Sequence, residues 1–142
     1  MPRPLESPVF FTDRCLGTRE VPNVLRAAGA TVEVHDSHFA ENMADPYLLA
    51  EIGARGWVLL TKDKRIRWRP MERAALEEAG LAAFILTGGD MTGPQIAQAF
   101  KNALPRMTRI LAKFSRPLLA RVTRSGSVAI IQGERRGGIA KD

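Results

Sequence analysis

The sequence is poor in cysteine, histidine and aromatic residues, and it has no long apolar run. Of its 142 residues one is a cysteine, Cys15, and two are histidines. No internal disulfide and no cysteine-based zinc site can therefore form. The first residues lack the apolar segment of a signal peptide, and no stretch approaches the ~18 apolar residues of a membrane span. We expect a cytoplasmic protein that is neither secreted nor embedded in a membrane.

Composition and charge indicate one globular domain with an uneven surface. A content of 45% hydrophobic and 25% charged residues is typical of a domain with a substantial core and excludes a disordered chain. The net charge is +6, but residues 101–142 carry ten basic and two acidic residues, which leaves residues 1–100 at −2. The last third can attract a polyanion while the first part gathers carboxylates. A solvated surface with a basic tail is the alternative.

Short apolar runs alternate with helical periodicity, which is the pattern of an α/β domain with a mainly parallel sheet. The predicted strands are 9–12, 31–35, 57–61, 82–87 and a late hairpin made of 118–122 and 128–131. Helices are predicted to begin near residues 18, 45, 70 and 92, the last of them with a capping box formed by Thr92 and Gln95. We expect a single domain over 1–132 and a flexible basic tail over 133–142.

Three aspartates stand where strands end or a helix begins. Asp13 follows the first strand, Asp45 opens a helix and Asp63 follows the third strand. In open parallel sheets the functional crevice lies outside the carboxyl ends of the strands, so these carboxylates are expected to converge. Converged carboxylates repel each other unless a cation neutralises them, and oxygen ligands favour Mg²⁺ or Mn²⁺ over zinc. The pattern predicts a site for one of these ions.

Each aspartate also has a structural interpretation. Asp45 precedes a proline as a helix cap does, and Asp63 lies among basic neighbours in a predicted turn. Asp13 is the hardest to explain in this way, because an ionised carboxylate directly after an apolar strand needs a partner. His35 and His38, after the second strand, are either ligands or proton carriers, or a pair that faces solvent.

A dense basic run with an interleaved tryptophan surrounds Asp63. Basic side chains bind a phosphodiester backbone and an aromatic ring can stack on a base, whereas a solvated loop is the alternative. The residues predicted to bind RNA are Lys62, Lys64, Arg65, Arg67 and Trp68. For Trp68, packing against the following helix or a dimer contact are equally open.

The order and spacing of these residues resemble the PIN-like domains, the ribonuclease fold of VapC-type toxins in bacterial toxin–antitoxin systems. The resemblance covers about residues 8 to 115. It rests on the segment 10–13 with Gly17, on Asp45 at the head of a helix, and above all on the run 56–67, in which a strand ends in Thr61-Lys62-Asp63-Lys64. These motifs are short, so the resemblance depends on their order.

The resemblance implies a PIN-like three-layer α/β/α sandwich with a mainly parallel central sheet and a C-terminal β-hairpin. It also implies that Asp13, Asp45 and Asp63 bind one or two Mg²⁺ or Mn²⁺ ions, with Asp90 as a candidate fourth ligand. The implied activity is that of an endoribonuclease toxin that hydrolyses RNA phosphodiester bonds with metal-activated water. The implied partners are an RNA substrate and a cognate antitoxin, and a homodimer is a further expectation. The basic last third is then a surface for either RNA or antitoxin.

Two other enzyme classes place an aspartate after their first strand. Haloacid-dehalogenase-like phosphatases need a second aspartate two residues later, where this chain has Cys15, and phosphoacceptor receiver domains need an acidic pair beside that strand. Both are disfavoured. A catalytically degenerate PIN-like module that binds nucleic acid or a partner stays open as the alternative.

Overall fold

The computed structural model describes residues 8–17, 19–34, 45–62 and 70–136. The strands are β1 (Val9–Thr12), β2 (Thr31–Val34), β3 (Val58–Thr61), β4 (Ala82–Leu86), β5 (Phe114–Val122) and β6 (Val128–Arg135). The helices are α1 (Glu20–Ala27), α2 (Asp45–Ala54), α3 (Pro70–Ala79) and α4 (Gly93–Lys113), and a short 3₁₀ turn spans Arg14–Leu16. Strands and helices alternate as the sequence predicts.

The six strands form one sheet in the order β2-β1-β3-β4-β5-β6. All neighbours are parallel except β5 and β6, which form the predicted C-terminal antiparallel hairpin. Thr12 of β1 pairs with Leu60 of β3, so the ends of these two strands lie side by side. Parallel pairing therefore places the residues that follow β1, β3, β4 and β5 at one edge of the sheet. We call it the carboxyl edge.

Successive side chains of each strand face opposite helix layers, as the period of two requires. On one face Phe10, Leu60 and Phe84 pack with residues of α1 and α4. On the other face Phe11 and Ile85 pack with residues of α2 and α3. Burial on both faces explains why β1, β3 and β4 read as apolar runs. The fold is the predicted three-layer α/β/α sandwich.

Helices α2 and α3 approach each other closely because α2 has a glycine at the contact. A Cβ atom added to Gly53 would lie 2.5 Å from the carbonyl oxygen of Ala79 and 2.8 Å from its Cβ. Backbone atoms cannot yield as the end of a side chain can, so only glycine fits here. This contact holds α2, whose first residue is Asp45, against α3 in the helix layer that the two share.

The hairpin begins earlier and ends later than the sequence predicts. Phe114, predicted as an inward helical residue, adopts extended geometry (φ −115°, ψ 146°) and starts β5 directly after α4. At the other end of the hairpin, the backbone N–H of Arg136 donates to the carbonyl of Lys113 at 2.7 Å. The Arg136 side chain donates to the Phe114 carbonyl at 3.0 Å. Residues 133–135 therefore belong to β6, and residues 137–142 of the predicted tail lie outside the described residues.

The buried face of α3 also differs in one respect from the prediction. Leu76 is fully buried, whereas Ala74, predicted to face inward, is exposed. The larger side chain takes the position against the sheet because it removes more apolar surface from water. Within the described residues, no helix is long and apolar enough to cross a membrane.

Candidate active site at the carboxyl edge of the sheet

Asp13 is the residue at which β1 ends, and its carboxylate is held from both sides. Its backbone N–H still donates to the Leu60 carbonyl at 3.0 Å, which continues the ladder to β3 by one residue. The Arg14 backbone N–H donates to Asp13 Oδ1 at 2.8 Å, and the Thr61 hydroxyl donates to Oδ2 at 2.8 Å. The apolar strand thus delivers a half-buried carboxylate that has the partners it needs.

Thr61, the last residue of β3, is fully buried. Its position beside Asp13 follows from the pairing of β1 with β3. Cys15 completes the group, because its thiol lies 3.5 Å from Asp13 Oδ2 and 3.4 Å from Thr61 Oγ1. Cys15 Sγ also accepts a hydrogen bond from the backbone N–H of Lys62 at 3.5 Å. The backbone of Lys62 is thereby held beside Cys15.

The Cys15 thiol is protonated at neutral pH. Burial of the sulfur, followed by the negative charge of Asp13, raises its pKa from an ordinary value of 9.0 to about 11. The residue as a whole is exposed, so the desolvation concerns the sulfur, which points toward Asp13 and Thr61. A thiol in this state is a poor nucleophile.

The chemistry of the donor set at Asp13 fits a hard divalent cation. An ionised carboxylate offers about four acceptor positions, and the Arg14 N–H and the Thr61 hydroxyl use two of them, with a longer contact from the thiol. Acceptor capacity remains for a cation, and oxygen ligands suit Mg²⁺ or Mn²⁺. The hydrogen bonds from protein groups orient the carboxylate, as partners of metal ligands generally do.

The side chains of the other two members of the predicted cluster lie outside the described residues. Asp45 is the first residue of α2, at the start of the helix that follows β2, but its side chain is outside the described residues. Asp63 follows Lys62 in sequence and is also outside them. Across residues 8–17, 19–34, 45–62 and 70–136, no group of three or more His, Cys, Asp or Glu side chains is placed to hold a metal ion. Asp90 therefore does not join the pair formed by Asp13 and Cys15.

Asp90 instead lines a small cavity of about 210 Å³ between the ends of β3 and β4. The cavity is lined by Lys62, Leu86, Gly89, Asp90, Met91 and Ile96. The backbone carbonyl of Asp90 accepts a hydrogen bond from the Arg124 side chain at 2.8 Å, which ties the loop after β4 to the hairpin. Lys62 thus borders the cavity on one side and contacts Cys15 on the other.

The predicted RNA-binding residues are only partly described. Lys62 is exposed at the carboxyl edge, whereas Lys64, Arg65, Arg67 and Trp68, like His35 and His38, lie outside the described residues. The basic residues of the last third of the chain lie partly at the carboxyl edge of the sheet and partly at the opposite edge. Arg124 lies at the carboxyl edge, but Arg116 and Arg136 lie at the opposite edge, where the Arg116 side chain donates to the Gly56 carbonyl at 3.0 Å. Burial and the nearby charge of Arg136 lower the pKa of Arg116.

Sequence reasoning missed the two side chains that contact the Asp13 carboxylate, Thr61 and Cys15. From the sequence, Thr61 is only the end of a strand and Cys15 only a lone cysteine. A signal for Thr61 exists, because it is the one polar residue of β3 and stands at its carboxyl end. No comparable signal marks Cys15, since its contacts depend on how the 3₁₀ turn packs against β3.

Comparison with known proteins gives a consistent result. Residues 8–88, which include Asp13, Asp45 and Asp63, match the family model described as "PIN like domain". The chain is 30% identical over 126 residues to a protein of Mycobacterium tuberculosis named "Putative ribonuclease VapC45", which covers 86% of this chain and 91% of that protein. No solved structure matches. The chain belongs to the PIN-like domain family, with a VapC-type protein among its relatives.

Proposed function

We propose that this protein is a metal-dependent endoribonuclease that hydrolyses RNA phosphodiester bonds and acts as the toxin of a toxin–antitoxin pair. The observation that carries the proposal is the Asp13 carboxylate, held at the carboxyl edge by Thr61 and the Arg14 N–H with acceptor positions left over. Membership of the PIN-like family and similarity to a protein named as a ribonuclease support it.

The residues that would hold the metal are Asp13, Asp45 and Asp63. A bound Mg²⁺ or Mn²⁺ supplies Lewis acidity, which makes water more acidic and neutralises the charge that develops on the phosphate. Asp90 lines the cavity between the ends of β3 and β4, and its place as a candidate fourth ligand depends on Asp45 and Asp63, whose side chains lie outside the described residues.

The chain's own groups would position the substrate and the carboxylate. Thr61 donates to Asp13 Oδ2 and prevents rotation of the carboxylate. Lys62, exposed beside this group, would bind the RNA substrate, and Lys64, Arg65 and Arg67 would bind its phosphate backbone as charge-assisted donors. Trp68 would stack on a base. No protein nucleophile is needed, in keeping with the protonated Cys15.

One observation favours the second candidate, a catalytically degenerate module that binds nucleic acid or a partner. Asp13 caps the 3₁₀ turn Arg14–Leu16 by accepting from the Arg14 N–H, which is a structural role that needs no metal. In that case the aspartates would be retained for stability alone.

Cleavage of a broad set of RNAs with Mg²⁺ or Mn²⁺ separates the two candidates. The wild type is expected to cleave, and Asp13→Asn to lose activity by at least about a hundredfold, because it removes a charge that holds the ion. Glu78→Gln, which removes an exposed carboxylate on α3, is the matched control and should keep wild-type activity. A folded wild type without cleavage would favour the degenerate module, whereas cleavage with equal activity in Asp13→Asn would refute the assignment of Asp13 to the metal site.

The proposed partners are tested separately. A short protein encoded beside this one should bind it and abolish cleavage if the pair is a toxin and its antitoxin. Light scattering of the purified chain tests the expected homodimer. A neighbouring protein that binds without inhibiting would contradict the toxin role and leave the nuclease proposal in place.

A further inference from the structure

A small cavity adjoins the candidate active site through Lys62. The Lys62 backbone N–H contacts Cys15 Sγ at 3.5 Å, and Cys15 Sγ lies 3.5 Å from Asp13 Oδ2. Lys62 also lines the cavity at the ends of β3 and β4. Cys15 and Lys62 therefore connect the Asp13 carboxylate to the cavity. A base next to a phosphate held by a metal ion at Asp13 would lie in this neighbourhood.

The size and walls of the cavity suit one planar base. Its volume is about 210 Å³, below the ~300–1,000 Å³ of pockets that enclose drug-sized ligands, so it admits a ring system and not a whole nucleotide. Leu86, Met91 and Ile96 provide apolar walls. Proteins that read single-stranded RNA hold splayed bases between such walls and bond their Watson–Crick edges.

The polar residues of the cavity select among the four bases. Asp90 and Lys62 are the two charged residues that line the cavity. An Asp carboxylate only accepts hydrogen bonds and a Lys ammonium group only donates them. Guanine is the base that presents two adjacent N–H donors, N1–H and the N2 amino group, with the O6 acceptor beside them. Adenine and cytosine each pair one amino donor with a ring acceptor, and uracil has a single N–H. Resting on the proposed ribonuclease function, we infer that this cavity binds a guanine base of single-stranded RNA beside the scissile phosphate.

The cavity is formed before any ligand arrives. Gly88 and Gly89 turn the chain after β4 at φ +125° and +81°, values that other residues rarely adopt. Arg124 fixes the Asp90 carbonyl at 2.8 Å. A Cβ atom at Gly88 would lie 3.4 Å from Met91 Cε, an ordinary contact, so the backbone conformation and not the space is what calls for glycine here. A preformed pocket avoids the cost of ordering on binding.

Binding measured without cleavage tests the assignment. Short unstructured RNAs that differ at one central base are titrated against the full chain in EDTA, with fluorescence anisotropy as the readout. The RNA with guanine is expected to bind at least about tenfold more tightly than the RNA with adenine, because one good bidentate contact discriminates against the wrong base by that much. Inosine, which lacks the N2 amino group, should lie between the two. Equal affinity for all of these RNAs would overturn the proposal.

Variants separate the cavity from general RNA binding. Met91→Trp fills the cavity and should remove the preference for guanine, whereas Met91→Leu conserves the volume and should keep it. Asp90→Asn offers one acceptor and one donor, which matches adenine better, so the preference should fall or reverse. Glu78→Gln is the charge-matched control and should leave the preference unchanged. A guanine preference that survives both Met91→Trp and Asp90→Asn would refute the assignment.

The proposed nuclease activity and the proposed base site can be refuted independently of each other. Guanine-selective binding without cleavage in Mg²⁺ or Mn²⁺ would leave the base site standing on a non-catalytic module. Cleavage at all four bases with equal kcat/KM, unchanged in Asp90→Asn, would keep the nuclease and refute the base site.

Discussion

The contact between Asp13 and Cys15 can be measured through the rate at which the thiol is alkylated. Cys15 is the single cysteine of the chain, so any reaction with iodoacetamide reports on this position. The negative charge of Asp13 raises the pKa of the thiol, and the Thr61 hydroxyl lowers it. Asp13→Asn and Thr61→Val should therefore change the rate in opposite directions.

The expected rate of the wild type follows from its pKa. At pH 8 a thiol with a pKa of about 11 contains about a hundredfold less thiolate than a thiol with a pKa of 9.0. The more basic thiolate is in turn about six- to tenfold more nucleophilic, since reactivity rises with pKa with a slope of ~0.4–0.5. The net reaction should be about tenfold slower than that of an ordinary exposed cysteine.

Asp13→Asn should lower the pKa of Cys15 and accelerate alkylation at pH 8. The pKa should remain above 9.0, because burial of the sulfur is the larger cause of the shift and persists in the variant. Thr61→Val removes a partner that favours the thiolate and should slow the reaction. The assay is a pH–rate profile in EDTA, followed by mass spectrometry, with Glu78→Gln as the control of unchanged rate. A wild-type midpoint near 9.0, or a slower Asp13→Asn, would refute the described geometry.

Two further predictions concern stability. Gly53→Ala should destabilise the protein by about 1–3 kcal/mol in urea unfolding, because the added methyl group meets the backbone of Ala79, although helix propensity alone predicts a gain of ~0.5–1 kcal/mol. Gly93→Ala, whose Cβ would lie at an ordinary 3.7 Å from Glu20, is the control, and a Gly53→Ala protein more stable than the wild type would contradict the close α2–α3 contact. Thr92→Ala removes the hydroxyl that caps α4 at 3.3 Å and should lower the free energy of unfolding by about 1 kcal/mol, measured by thermal unfolding. Thr92→Ser keeps the hydroxyl and should be close to the wild type. An unchanged melting temperature in Thr92→Ala would show that the cap is dispensable.

Local patterns in the sequence are sufficient to predict most elements of the fold. β1, β3 and β4 read as apolar runs because both of their faces are buried, and the start of α4 is marked by its capping box. The boundary between α4 and β5 is not marked in this way. Phe114 suits either the buried side of a helix or a strand, and its conformation is decided by contacts with Arg136, which is distant in sequence.

The site is less accessible to sequence reasoning than the fold. The position of Asp13 directly after β1 follows from a local pattern in the sequence. The structure confirms this position. Its hydrogen bond with Thr61 joins residues 48 positions apart and depends on which strand lies beside β1. Strand order in a parallel sheet arises from packing of the crossover helices, so it cannot be predicted from the amino-acid pattern of a single strand.

The pairing of β1 with β3 has a consequence for how this protein can evolve. Deleting one residue from β1 would exchange the faces of Phe10 and Phe11 between the two helix layers and would also draw Asp13 away from Thr61, so a single event would damage core and site together. The hairpin has a more tolerant construction, because its β5–β6 pairing already contains shifts of register. Insertions and deletions should therefore accumulate among related sequences in the hairpin, while the length of β1 stays constant.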